Sequence, residues 1–144
     1  MPIINENDPI SIDEIGPSFG DNDILSALIS RKMGVDLLII LTDVDGLFNK
    51  NPNHKGATLI SEVRNIDKST ESISGKANGL GLGGMKTKIK AAKIATKSGI
   101  AVVMANGKKD DILNKIINNE SVGTFFYPTK KKKHLNTSFS HKTT

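Results

Sequence analysis

The stretch VDLLIILTDVDG, residues 35–46, decides how the rest of the chain is read. It opens as an apolar run, partly β-branched and broken only by Asp36, and turns abruptly polar at Thr42-Asp43-Val44-Asp45-Gly46. A short continuous apolar run of this kind suits a strand buried on both faces of a parallel sheet. The polar segment that closes it then lies at the carboxyl end of that strand, where open α/β sheets collect ligands.

Elements fall into place on either side. Gly20-Asp21-Asn22-Asp23 reads as a turn and helix cap. Ile24, Leu25, Leu28 and Ile29 follow with helical spacing, and Gly34 stands where a helix stops. Further upstream, Pro2-Ile3-Ile4 reads as a short strand feeding the polar loop Asn5-Glu6-Asn7-Asp8. Downstream, residues 49–58 are rich in Asn, Pro, Lys and Gly, a surface loop. A short strand or turn at 59–63 and a short helix at 67–72 come next, then a glycine loop and a helix from Gly84 to Ser98 stopped by Gly99. Residues 100–105 form a second buried strand. Asp110 or Asp111 caps a helix through Ile112, Leu113, Ile116 and Ile117, and a last strand at 122–127 ends at Pro128. Strands alternating with helices predict an α/β fold with a mainly parallel sheet. Three polar clusters follow strands: residues 5–8, residues 42–45, and Asn106-Gly107. Loops are polar in any fold, but three strand ends of this kind point to one shared cleft.

The bulk properties bound the function. A chain of 144 residues suffices for one domain with a real core. It has no cysteine, which excludes disulfides, zinc–thiolate sites and thiol nucleophiles. No apolar run reaches membrane-spanning length and no secretory signal is evident, so a cytoplasmic protein without a membrane partner is expected. The net charge of +5 is unevenly placed. Lysines 130–133 and the polar residues after them read as a basic, disordered tail over 128–144, leaving residues 1–127 as the folded domain. A basic tail can hold nucleic acid nonspecifically. A solvated end is the commoner fate of such a run, and nucleic acid is not an expected partner.

The glycine loop narrows the chemistry. In GLGLGGMKTKIKAAK, residues 79–93, Gly79, Gly81 and Gly84 satisfy G-x-G-x-x-G. A dinucleotide fingerprint also needs a strand just before it and an acid about twenty residues on; Lys76-Ala77-Asn78 is no strand, and the next acid is Asp110. A phosphate loop of the Walker type needs glycine directly before Lys-Ser/Thr, and Met85 intervenes between Gly84 and Lys86. The underlying physics survives both failures. Glycines free backbone N–H groups to close on an anion, and a helix N-terminus adds partial positive charge. Lys86, Lys88 and Lys90 crowd that end, where they repel the helix dipole unless an anion such as phosphate is present. At about 100° per residue, Lys86, Lys90, Lys93 and Lys97 share one stripe, the pattern of a solvated face. Lys88 lies nearly opposite, with Ala91, Ala92 and Ala95. A lysine on a packed side is costly unless it is paired, aimed into a cleft, or snorkels to water. The small alanines beneath it predict close helix packing against the sheet.

Carboxylates and amides complete the candidates. One of Asp21, Asn22 and Asp23 is enough to cap the helix, which leaves the others to orient a lysine or meet a substrate. Asp8, between Asn5 and Asn7, serves a turn or a ligand. Thr42-Asp43 caps a turn or faces the cleft. His54, His134 and His141 stand at no triad or metal spacing and are assigned nothing.

PIINEND, FGDNDILSALI, LLIILTDVDGLF, GLGGMKTKIKAAKIATKSGI and SVGTFF, in this order and spacing between Pro2 and Tyr127, together resemble the glutamate 5-kinases of the amino acid kinase family. The resemblance implies a three-layer α/β/α sandwich around a mainly parallel open sheet. It also implies transfer of the ATP γ-phosphoryl group to the side-chain carboxylate of L-glutamate, the first step of proline biosynthesis. Asp8 and Asn22 match glutamate-binding positions. Thr42 and Asp43 match ATP-binding positions, as do Leu82, Gly83, Gly84, Met85, Lys86, Thr87 and Lys88. Lys88 matches the lysine that reaches the transferring phosphates, and Asp23 an aspartate that organises catalytic lysines. Magnesium is implied with the nucleotide, with no protein ligand indicated. Leu82 stands where the family usually has threonine. The family's first half has no counterpart in this sequence, so the resemblance covers the ATP-binding half and implies a complementary N-terminal half or a homo-oligomer. Two other readings stay open: an inactive nucleotide-binding or interaction module, and a kinase of the family acting on another acid or a nucleoside monophosphate.

Overall fold

The computed structural model describes residues 1–3, 22–76 and 84–129. Its elements are helix α1 (Asn22–Met33), strand β1 (Leu37–Thr42), strand β2 (Glu62–Val63), helices α2 (Lys68–Lys76) and α3 (Gly84–Lys97), strand β3 (Ala101–Asn106), helix α4 (Ile112–Ile117) and strand β4 (Thr124–Phe126). The loop at residues 5–8, the glycines before Gly84 and the lysines from residue 130 lie outside the described residues. Residues 1–3, where the first strand was expected to begin, carry none, and Ile3 is exposed.

The helices stop where the sequence places their glycines. The Val35 N–H reaches back to the Ser30 carbonyl and the Gly34 N–H to Arg31, with Gly34 at φ 66°. Ile100 and Gly99 repeat the same double bond onto Ala95 and Thr96. These are Schellman stops, which satisfy the orphan carbonyls of the last turn. At α4 the expected cap is only half right. Asp111 takes the N-cap position but makes no bond to a helix N–H; its carboxylate accepts from the Asn114 side-chain amide instead.

The four strands described form one sheet in the order β1-β3-β4-β2. β1 pairs with β3 and β2 with β4 in parallel, while β3 and β4 run antiparallel, so the sheet is mixed but mainly parallel. On one face Leu38, Ile40, Val102, Met104 and Phe126 pack with Ala27 of α1 and with Ile89, Ala91, Ala92 and Ala95 of α3. On the other, Val103 and Ala105 pack with Ile112 and Ile116 of α4, and Ile39 and Phe125 lean on them. Successive side chains of a strand point to opposite faces, which splits β3 between the two layers. The result is the expected three-layer α/β/α arrangement.

Two details depart from the sequence reading. β1 is not buried on both faces: Leu38 and Ile40 are buried, but Leu37 and Leu41 are 38% and 46% exposed. Among the described strands β1 is the sheet's edge, and α4 covers the far face only in part. In α1 it is Ala27 and Ser30 that are buried, while Leu25 and Leu28 are exposed. α1 lies against α3, whose contact side is alanine-rich, and small side chains let two helix axes approach closely. Among the described residues no helix is long and apolar enough to cross a membrane.

Candidate active site

β1 and β3 run in register, with Thr42 opposite Asn106, so their carboxyl ends lie side by side. The Gly107 N–H donates to the Thr42 carbonyl at 2.9 Å and ties the two ends together. There the surface opens into a cleft of about 340 Å³ lined by Leu41, Thr42, Asp43, Lys88, Gly107 and Lys108. This is the position that parallel strands favour for ligands.

Lys88 enters from the first turns of α3, a helix with no acidic residue in its first turn to offset the dipole. Its ammonium donates to Asp23 Oδ2 at 2.8 Å, and the two side chains are 18% and 16% exposed. Asp23 sits in the first turn of α1, where helix polarity favours a carboxylate. The two N-termini therefore meet through an ion pair, with Lys88 also forming a wall of the cleft. The crowding of lysines on α3 is relieved by protein carboxylates at two points, because Lys93 pairs with Glu71 of α2. Lys93 thus leaves the solvated stripe expected of it; Lys86, Lys90 and Lys97 are exposed as that stripe requires.

A second polar network surrounds the turn that follows β3. Asp45 Oδ1 accepts from the Asn106 amide at 3.1 Å and from Lys109 Nζ at 3.2 Å. The Asn106 hydrogen bond, and then Lys109, hold the Asp45 carboxyl below the usual carboxylate range. The Lys108 N–H in turn donates to Asn106 Oδ1 at 2.9 Å.

Of the residues singled out from the sequence, Thr42, Asp43 and Lys88 are brought together at the cleft. Asp23 stands one contact behind Lys88. Asn22 is the first residue of α1, half-buried beside Asp23. Gly84 opens α3, Met85 packs partly into the core, Lys86 is exposed, and the Thr87 hydroxyl is spent on the Gly84 carbonyl at 2.9 Å. Asp8, Leu82 and Gly83 lie outside the described residues. Of the other lining residues, Gly107 belongs to the strand-end cluster Asn106-Gly107 expected at the shared cleft, while Leu41 and, just past that cluster, Lys108 were missed. The signal was present, since Asn106-Gly107 follows a buried strand as Thr42-Asp43 does, but the reading stopped one residue short.

Fold and cleft define a three-layer α/β protein with a cleft at the ends of parallel strands. The chain belongs to the amino acid kinase family, whose model matches residues 1–106. In sequence it is similar to the glutamate 5-kinase of Dictyoglomus turgidum, 48% identical over 94% of this chain and 36% of that protein. It is likewise similar to the glutamate 5-kinase of Clostridium acetobutylicum, 47% identical over 91% of this chain and 49% of that one. The chain therefore spans between about a third and a half of the length of these curated relatives. Among solved structures it resembles uridylate kinase from Archaeoglobus fulgidus, with TM-score 0.56 and 21% identity over 72% of this chain and 45% of that one. It also resembles carbamate kinase from Giardia lamblia bound to AMP-PNP, with TM-score 0.54 and 24% identity over 74% of this chain and 32% of that one. At such identities the likeness is one of fold.

Proposed function

We propose that this chain supplies the nucleotide-binding part of a glutamate 5-kinase, which transfers the γ-phosphoryl group of ATP to the side-chain carboxylate of L-glutamate as the first step of proline biosynthesis. A carboxylate oxygen of glutamate forms the new bond to the γ-phosphorus, the β–γ bridging bond breaks, and ADP leaves with the bridging oxygen. Such a transfer needs no protein nucleophile; it needs position and charge. The observation that carries the reading is Lys88, a largely buried ammonium on the wall of the cleft, held by Asp23.

Lys88 stabilises the negative charge of the transferring phosphoryl group, and Asp23 fixes where that ammonium lies. Thr42 and Asp43 hold the nucleotide at the end of β1. Gly84 to Thr87, with Leu82 and Gly83 before them, bring the N-terminal N–H groups of α3 to the phosphates. Asn22 and Asp8 contribute to glutamate binding, which a complementary N-terminal half or a second copy of the chain completes. Among the described residues no three metal-ligating side chains gather. A magnesium ion entering with the nucleotide would be held by phosphate oxygens and water, with one or two carboxylates at most from the protein. When bound, the ion neutralises phosphate charge. The location that fits an ATP-consuming biosynthetic step is the cytoplasm.

Calorimetry of Mg-ATP binding tests the reading, alongside an assay of glutamate-dependent ADP release with the N-terminal part of a glutamate 5-kinase relative supplied in trans. The expected result is Mg-ATP uptake by the chain and release of ADP by the mixture, with Lys88→Ala lowering the release by about a hundredfold or more. If the chain takes up no Mg-ATP even with its complement, the reading is overturned. Uptake without any ADP release would leave a nucleotide-binding module and refute catalysis.

A further inference from the structure

Two adjacent lysines follow β3, and the structure treats them differently. Lys109 lies against Asp45, 3.2 Å from its carboxylate. Lys108 lines the cleft. Among the described residues Lys108 makes no ion pair, and none of their carboxylates claims its ammonium. We infer that Lys108 is a second nucleotide-contacting cation, acting with Lys88 on the phosphate chain of a Mg-nucleoside triphosphate, and that Asp45 with Asn106 is the device that turns Lys108 rather than Lys109 toward the cleft. The inference rests on the nucleotide reading above and deepens it.

The geometry of the turn supports it. The Asn106 side chain is used at both ends: its amide donates to Asp45, and its oxygen accepts from the Lys108 N–H. An asparagine bonded to the backbone two residues on fixes the direction of the turn. The Lys109 N–H, at 3.2 Å from the Asn106 carbonyl, closes the same turn. Gly107 sits so close to Leu41 that a Cβ there would stand 3.2 Å from the Leu41 Cβ. The absent side chain lets the turn settle on the end of β1, and Lys108 with it. With Asp45 taking Lys109, the two cleft-lining cations come from different elements, Lys88 from α3 and Lys108 from the turn after β3. A chain of phosphates bound in the cleft meets both positive charges.

The test uses the full chain and Mg-ATP. Lys108→Ala is expected to weaken binding about tenfold, the scale of one charge-assisted hydrogen bond, and to flatten the dependence of affinity on salt. Lys97→Ala removes the same charge from an exposed position at the far end of α3, and is expected to leave affinity within about twofold. Asp45→Asn separates positioning from bulk electrostatics. Deleting a negative charge beside a cationic cleft strengthens anion binding by itself, whereas loss of the sorting contact weakens it. The expected sign is weakening, and the effect should vanish when Asp45→Asn is made in the Lys108→Ala background. Equal binding by Lys108→Ala and wild type, with Lys88→Ala still impaired, overturns this inference and leaves the nucleotide reading standing. Tighter binding by Asp45→Asn overturns the sorting role. If wild type itself takes up no Mg-ATP, both fail together.

Discussion

At the scale of residues, the Lys88–Asp23 pair is asymmetric, and the asymmetry separates folding from function. Each partner is the N-terminal neighbour of a helix dipole, but the dipole favours the carboxylate and opposes the ammonium. Asp23 therefore keeps one stabilising influence when Lys88 is lost. Lys88 keeps none when Asp23 is lost, and it remains a largely buried charge. Removing one partner of a buried pair costs about 3–5 kcal/mol at full burial. With both side chains still partly wet, Asp23→Ala is expected to cost about 2–3 kcal/mol. Lys88→Met keeps an aliphatic stem of similar length in a largely buried place and is expected to cost less than about 1 kcal/mol. Urea unfolding measures both. The same two variants, titrated with Mg-ATP, should both bind poorly, the second while fully folded. A Lys88→Met protein as unstable as Asp23→Ala would contradict the assigned asymmetry.

At the scale of elements, what was legible depended on whether local chemistry sufficed. The helix stops at Gly34 and Gly99 were readable because a left-handed C′ residue is a local requirement, and α3 was readable from its glycines and stripe. The face presented by α1 was not, because a run of Ile and Leu signals burial until a neighbour with alanines brings Ala27 and Ser30 inside. The two-sided burial expected of β1 failed for a similar reason: strand order, which puts β1 at the edge among the described strands, is a property of the sheet and not of the strand. The site followed the same rule. Thr42, Asp43 and Lys88, singled out from strand end and helix phase, line one cleft, but the pairing of Lys109 with Asp45 joins residues far apart in sequence. α2 offers a test of local chemistry. The Thr70 N–H donates to Asp67 Oδ1 at 2.9 Å, the first cause of an Asp67 pKa held below its ordinary value. A depressed folded value means that the capping contribution is present above the unfolded pKa of about 3.9 and is lost as pH falls through the folded one. Loosening of α2, followed by amide and side-chain NMR shifts, is therefore expected to begin below about pH 4. Asp67→Asn retains a cap that does not titrate, so the acid-dependent loosening should disappear in that variant. The β3–β4 junction carries a sharper constraint. Gly123 has φ 68°, and a Cβ there would stand 2.1 Å from the Met104 carbonyl oxygen. Gly123→Ala must move one strand off the other, and a loss of about 3 kcal/mol in urea unfolding is expected.

At the scale of the whole molecule, the segment that leaves the cleft is fastened at both of its ends to distant strands. Asp45 ties it to β3 through Asn106. Two residues later the Leu47 N–H donates to the buried Thr124 hydroxyl of β4 at 2.9 Å. That hydroxyl donates onward to the Ile60 carbonyl at 2.6 Å, where the excursion through residues 49–58 returns. One side chain, fully buried, thus closes a loop on both strands of its neck and holds it against the sheet. Phe48 and Leu59 pair across the neck, and the Ile60 N–H bonds the Leu47 carbonyl, so the latch acts on a segment already zipped. Removing the hydroxyl while keeping its volume is the informative change. Thr124→Val leaves the Leu47 N–H and the Ile60 carbonyl without their partner in a dry site, and at about 1–3 kcal/mol for each orphaned group the expected loss is about 2–4 kcal/mol in urea unfolding. Thr124→Ser keeps the hydroxyl and sheds one methyl group, for a loss of about 1 kcal/mol. Hydrogen exchange distinguishes a latch from a generic core residue. In Thr124→Val the Leu47 amide should exchange orders of magnitude faster than the amides of β1 and β3. In Thr124→Ser it should stay protected. Uniform loss of protection across the sheet in Thr124→Val would make Thr124 ordinary packing, and the loop beside the cleft would then owe its position to Asp45 and Asn106 alone.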